Sequence, residues 1–174
     1  MPHVEGVRPR KQLKMYTCGP GALRTIFYFY GVRVSEKELV DTAGIDDEGT
    51  SEYQMRLLAH EYGFSFYGRN NGHLKEVSKY LEKGIPLLIC YQDHGAPNGD
   101  NGHYAVLTGV EKDWVEIADS GNYFVGDGQK FAASKRMAKE NFLRRWFEVE
   151  QYDDGTTLKV RRWFAVIKPR KKKK

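Results

Sequence analysis

Between Cys18 and Tyr30, residues Ala22, Leu23, Ile26, Phe27 and Tyr30 recur on a 3.6-residue stripe, and Gly31 follows. This pattern predicts an amphipathic helix with a glycine stop. Ser35 and Glu38 have the spacing of a capping box, so a second helix is expected over Ser35–Thr42. A third, capped by Thr50 or Ser51, runs to Tyr62 and stops at Gly63, and a fourth spans Leu74 to Glu82 and closes at Gly84. Apolar runs of strand length then take over, after a first short one at Phe64–Gly68: Leu87–Tyr91, Tyr104–Val110, Trp114–Ala118 and Lys159–Ile167. One helix, Lys139–Trp146, interrupts them. The stretch between Gln92 and Gly102 is polar and rich in Gly and Pro, a loop that feeds directly into His103. Helices first and antiparallel strands second is an α+β order, with helices packed on one side of a sheet.

Composition narrows the class. A chain of 174 residues with 40% hydrophobic content has room for one domain and a sizeable core, expected here over residues 1–168. No apolar run approaches the roughly 20 residues of a membrane span. The N-terminus lacks the apolar stretch of a secretory signal, so a cytoplasmic location and a monomer are expected. The net charge of +5 is concentrated at the end, where Lys168–Lys174 is basic at every position but Pro169. The rest of the chain is close to neutral. Residues 169–174 therefore read as a disordered, solvated basic tail, and nucleic acid is not expected as a partner of the folded body.

Two cysteines are too few for a disulfide framework. Cys90 lies in the buried-strand pattern Pro86–Tyr91, and a Cys18–Cys90 bridge would consume the more interesting thiol. A metal set of Cys18, Cys90, His94 and His103 has no Cys-x-x-Cys or His-x-x-x-His spacing behind it. There is no phosphate-cradling glycine loop and no dinucleotide fingerprint. No cofactor is expected.

The chemistry centres on Cys18 in Thr17-Cys-Gly-Pro-Gly21. A thiol at the first turn of a helix faces free N–H groups and the positive end of the helix dipole, which favour the thiolate. A base and a group to orient that base are found downstream. If Tyr104–Ala118 is a hairpin turning at Val110–Lys112, the pairs 103–119, 105–117 and 107–115 face each other. His103 and Asp119 would then meet at its open end, within hydrogen-bond reach. A slip of one residue would send Asp119 to the wrong face. Gln12 could supply an amide donor to an oxyanion together with the Cys18 N–H. Six extended residues span roughly 20 Å, so Lys14–Thr17 must turn back for Gln12 to approach. His94 is a rival base inside the loop, and His3, His60 and His73 read as surface groups.

Gln12-x5-Cys18-Gly-Pro, then Gly102-His-Tyr-Ala-Val106, then Asp119 resembles the papain-like cysteine peptidases that process double-glycine leader peptides of bacteriocins. The likeness is greater to free-standing members without a transporter, covers residues 10–150, and includes Tyr30–Leu39, Glu48–Ser51 and Phe142–Trp146. It implies a papain-like cysteine proteinase fold and hydrolysis of a peptide or protein substrate. Cys18 would be nucleophile, His103 general base and acid, Asp119 its orienter and Gln12 the oxyanion donor. Family members usually have Asp-Pro where this chain has Asp119-Ser120, so the following loop is expected to differ. An acyltransferase or deamidase could use the same residues, and a peptide- or nucleic-acid-binding module could carry them silently.

Overall fold

The computed structural model describes residues 1–93, 102–124 and 130–171, without the side chains of 122–124, 130 and 131. His94 and most of the polar loop lie outside these residues. Three helices open the chain: α1 (Cys18–Phe29), α2 (Glu36–Ala43) and α3 (Glu52–Glu61). Both expected capping boxes form, Ser35 with Glu38 and Ser51 with Gln54. Strand β1 (Phe64–Arg69) and helix α4 (Leu74–Leu81) precede β2 (Leu87–Gln92), β3 (Gly102–Val110), β4 (Trp114–Phe124) and β5 (Lys130–Ala138). Helix α5 (Lys139–Arg145) leads into β6 (Phe147–Gln151), β7 (Thr157–Arg161) and β8 (Phe164–Pro169). Six strands form one antiparallel sheet in the order β1-β8-β2-β3-β4-β5, and β6 and β7 form a separate ribbon.

Helices cover both faces of this sheet, not one. Leu88, Cys90, Tyr104, Val106 and Ala118 pack against Ala22, Leu23, Ile26 and Phe27 of α1 and against Met55 and Leu58 of α3. The alternate residues Ile89, Tyr91, Ala105, Leu107 and Ile117 pack against Val77 and Leu81 of α4 and Phe142 of α5. That explains why β2 and β3 read as continuous apolar runs rather than alternating ones: a strand buried on both faces has no polar side to show.

The expected strand over Lys159–Ile167 is two strands. Arg162 sits at φ 50° and its N–H donates to the Trp146 carbonyl at 2.9 Å, which breaks the ladder between β7 and β8. Strands β5 and β6 had no hydrophobic signal, because their residues are mostly charged or small and lie at a sheet edge or in the ribbon. The basic tail also begins later than expected. Pro169 belongs to β8, and Arg170 donates from its main chain to the Gly63 carbonyl at 2.9 Å and from its guanidinium to the His60 carbonyl at 2.7 Å.

Candidate active site

The N-terminal arm fixes the entrance of α1 by hydrogen bonds rather than by apolar packing. Pro2 and Val4 pair with Val110 and Thr108 of β3. The buried Glu36 carboxylate accepts the Leu13 N–H through both oxygens, at 3.0 and 3.2 Å. Gln12 is buried, and its main-chain N–H donates to the Ser120 carbonyl at 2.8 Å. The segment Lys14–Thr17 does turn back: the Thr17 hydroxyl and main chain both bond to Lys14.

Gly19 and Gly21 are needed for close approach at this point. A Cβ on Gly19 would lie 2.7 Å from the Thr50 Cβ. On Gly21 it would lie 2.6 Å from the Ser120 Cβ and 3.2 Å from the Gln12 Cβ. The glycines let the first turn of α1 press against the α2–α3 loop on one side and against β4 and the arm on the other. Gly21→Ala is expected to cost about 1–3 kcal/mol of stability through overpacking, read as a fall in Tm of several degrees in a thermal melt. An unchanged Tm would mean that α1 can shift away from β4 without loss.

Cys18, His103 and Asp119 come together beside this turn. His103 Nε2 lies 2.7 Å from Asp119 Oδ1, with both side chains buried. The imidazole is also hydrogen-bonded to the Cys18 thiol, which takes a further hydrogen bond from the Tyr104 main chain. With Nε2 committed to Asp119, Nδ1 is the nitrogen left for the sulfur. The expected hairpin register is off by two. Val106 pairs with Ala118 and Leu107 with Ile117, and a bulge between Leu107 and Gly109 shifts the pairing again. Continued along the strands, that register sets Asp119 opposite Ala105 and diagonal to His103. A shift of two keeps every residue on its face, since strand side chains repeat every two positions. The contact therefore survives as a diagonal one.

Two further groups grip Asp119, and the sequence gave no sign of either. Lys135 Nζ lies 2.7 Å from Asp119 Oδ2, and the Tyr91 hydroxyl donates to the same oxygen at 3.0 Å. The Gly121 N–H donates to Oδ1 at 3.2 Å. Lys135 lies on β5, a strand with no apolar pattern, and Tyr91 reads as an ordinary strand end. Ser120, where relatives have proline, donates its hydroxyl to Gln12 Oε1 at 2.9 Å. The Gln12 amide nitrogen in turn donates to the carbonyls of Lys14 at 2.7 Å and Met15 at 3.3 Å.

The electrostatics follow from these contacts. Burial alone would raise the Cys18 thiol, but the hydrogen bond and charge of His103, with help from the Tyr104 main chain, carry it below its ordinary value. Burial alone would lower His103, but Asp119 and Cys18 raise it to about 9. Burial would likewise raise Asp119, and His103 and Lys135 hold it well below the usual carboxylate range. Cys90 is raised, first by burial and then by the charge of Glu148. Both cysteines are free thiols, so the Cys18–Cys90 bridge does not form. Among the described residues no three His, Cys, Asp or Glu side chains are placed to hold a metal ion. No described helix is long and apolar enough to cross a membrane.

Helices before an antiparallel sheet, with a cysteine opening the first helix and a histidine on a central strand, is the papain-like architecture. The Peptidase C39 family model matches residues 7–149. An uncharacterized protein of Methanothermobacter marburgensis is 34% identical over 63% of this chain and 68% of its own length. The peptidase domain of Streptococcus ComA superposes with a TM-score of 0.67 at 18% identity, covering 94% of this chain and 99% of that domain. A double glycine motif protease from an AMS/PCAT transporter, solved with its leader peptide, gives a TM-score of 0.63 at 18% identity over 98% and 99% of the two chains. The chain belongs to the Peptidase C39 family and is a cysteine-type peptidase.

Proposed function

We propose that the protein cuts a peptide bond through an acyl-thioester on Cys18, with His103 and Asp119 completing a triad. The observation that carries this reading is the unbroken chain of hydrogen bonds from the Cys18 thiol through the imidazole to Asp119. The Cys18 thiolate attacks the scissile carbonyl carbon, and the carbonyl oxygen becomes an oxyanion. His103, protonated at Nδ1, gives that proton to the departing amine as the tetrahedral intermediate collapses to the thioester. Water, deprotonated by the now neutral imidazole, then releases the acid. Asp119 keeps Nε2 protonated and stabilises the cation. Lys135 and Tyr91 act through Asp119, as positioning residues.

Gln12 supplies an oxyanion donor beside the Cys18 N–H. Its bond to the Met15 carbonyl is long, at 3.3 Å, and is the one an oxyanion would replace. A peptide substrate agrees with the leader peptide carried by the double glycine motif protease of similar fold.

The test is alkylation by iodoacetamide, followed by peptide mass spectrometry. Cys18 is expected to react far faster than Cys90 at about pH 6, since one thiol is held as thiolate and the other is raised. Turnover of a Gly-Gly-containing fluorogenic peptide should persist below neutrality and fall as pH rises through about 9, where His103 loses the proton that the leaving amine needs. Equal alkylation of the two cysteines in the folded protein would overturn the reading.

A further inference from the structure

Next to Cys18 the helical side of the sheet opens into a groove of about 560 Å³. Two residues join it to the thiol. Tyr104 lines the groove, and its main chain hydrogen-bonds Cys18. Thr50 also lines it and lies against Gly19, the residue after the nucleophile. Five carboxylates, Asp46, Glu48, Glu52, Glu148 and Glu150, line the groove without a lysine or arginine among its described walls.

The sign of this charge is built into the ribbon. Glu148 pairs with Val160, Glu150 with Leu158, Phe147 with Arg161 and Val149 with Lys159. Alternation along the strands therefore puts Glu148, Glu150 and Val160 on the groove side and sends Lys159 and Arg161 to the other. Gathering these carboxylates works against the fold. Beyond burial, Glu148 is a cause of the upward shifts of both the Cys90 thiol and the Tyr104 phenol. Glu52 alone is answered within the fold by a cation, Arg56 at 2.7 Å, among the ion pairs of these five acids in the described residues. No three of the acids are placed to share a metal ion. Their charge is spread along a path instead of focused at a point.

A second observation also points to an absent ligand. Thr50 Oγ1 is shut off from solvent in the wall between Gly19 and the groove, with no hydrogen-bond partner among the described residues. A buried hydroxyl left unpaired costs stability unless something completes it.

We propose that this groove is a specificity subsite for an extended basic segment of the substrate. It takes lysine and arginine side chains next to the bond cut at Cys18, and Thr50 hydrogen-bonds the segment's main chain. The inference rests on the peptidase reading of Cys18, and the test separates the two. Labelled peptides of one length carry Lys, Gln or Glu at the positions flanking a Gly-Gly site, before it in one set and after it in another. Their binding to the Cys18→Ala protein is followed by fluorescence anisotropy, and their cleavage by the intact enzyme by fluorescence.

In one of the two sets, Lys peptides should bind about 10-fold more tightly than Gln peptides and about 100-fold more tightly than Glu peptides at low salt. The preference should shrink as salt is raised, because exposed charges are screened. Glu48→Gln with Glu150→Gln should remove most of it, while Cys18 alkylation at about pH 6 confirms an intact site. Thr50→Val should weaken Lys, Gln and Glu peptides alike, as a lost main-chain contact would. A Lys preference without cleavage would leave the groove standing and sink the peptidase mechanism. Cleavage with equal affinity for Lys and Gln peptides in both sets would overturn the groove alone.

Discussion

Asp119→Asn is expected to lower kcat/KM by roughly 10⁴-fold and to destabilise the fold as well. The activity loss arises because an asparagine amide can donate to His103, which favours the wrong tautomer and leaves the imidazolium without its counter-charge. The stability loss has a different source. Asp119 is the buried partner of Lys135, whose side chain is only 13% exposed. Removing one member of a buried ion pair costs about 3–5 kcal/mol, because the other charge stays desolvated and unanswered. From the sequence alone, this variant would be expected to fold normally. Asp119→Asn with Lys135→Met should recover much of the stability and none of the turnover. Denaturant unfolding and steady-state kinetics on the same preparations separate the two effects. Full turnover in Asp119→Asn would remove Asp119 from the mechanism.

The linkage has a definite sign. Asp119 titrates below its ordinary value, so its stabilisation is present above the unfolded carboxylate pKa of about 4 and is lost as pH falls below it. His103 titrates above its ordinary value, at about 9. Its contribution is complete below the unfolded imidazole pKa of about 6.5 and is lost as pH rises toward 9. Stability from this pair should peak between those two limits. Lys135→Met should narrow the window from the acid side.

Gln12→Ala is the second large effect. Losing an oxyanion donor costs roughly 10²–10³-fold in turnover. A donor with no other task would leave Cys18 alkylation and stability unchanged. Gln12 has other tasks here: its amide holds the Lys14 and Met15 carbonyls and accepts from Ser120, all against the turn that delivers Cys18. Gln12→Ala should therefore lower Tm and slow alkylation moderately, with turnover falling much further than alkylation. Gln12→Glu keeps an acceptor for Ser120 but faces two carbonyls with a carboxylate, so it should be the less stable variant. If turnover and alkylation fell by the same factor, Gln12 would be a holder of the arm and nothing more.

The sequence by itself determined the elements that carry strong local signals. Helix α1 has its apolar stripe, α2 and α3 have their capping boxes, and β2 and β3 are apolar runs bounded by turn residues. It also carried the nomination of Cys18, His103, Asp119 and Gln12, because residue type and parity along a strand are local properties. The 103–119 register was wrong by two, yet the side chains meet, since parity outlives an even slip.

What only the tertiary structure decided are the features whose causes lie far apart in the chain. The second helical layer comes from α4 and α5 closing on a face that the sequence did not distinguish from the first. Lys135 reaches Asp119 only because β5 pairs with β4, and nothing in a charged edge strand announces that pairing. Ser120 and Gln12 are 108 residues apart in the chain, yet both meet Gly21 at contact distance. The acidic groove gathers Asp46 and Glu48 from one loop and Glu148 and Glu150 from the ribbon. Local pattern fixes which way a side chain points from its own element, but the field it feels is set by whatever other segments the fold packs against it.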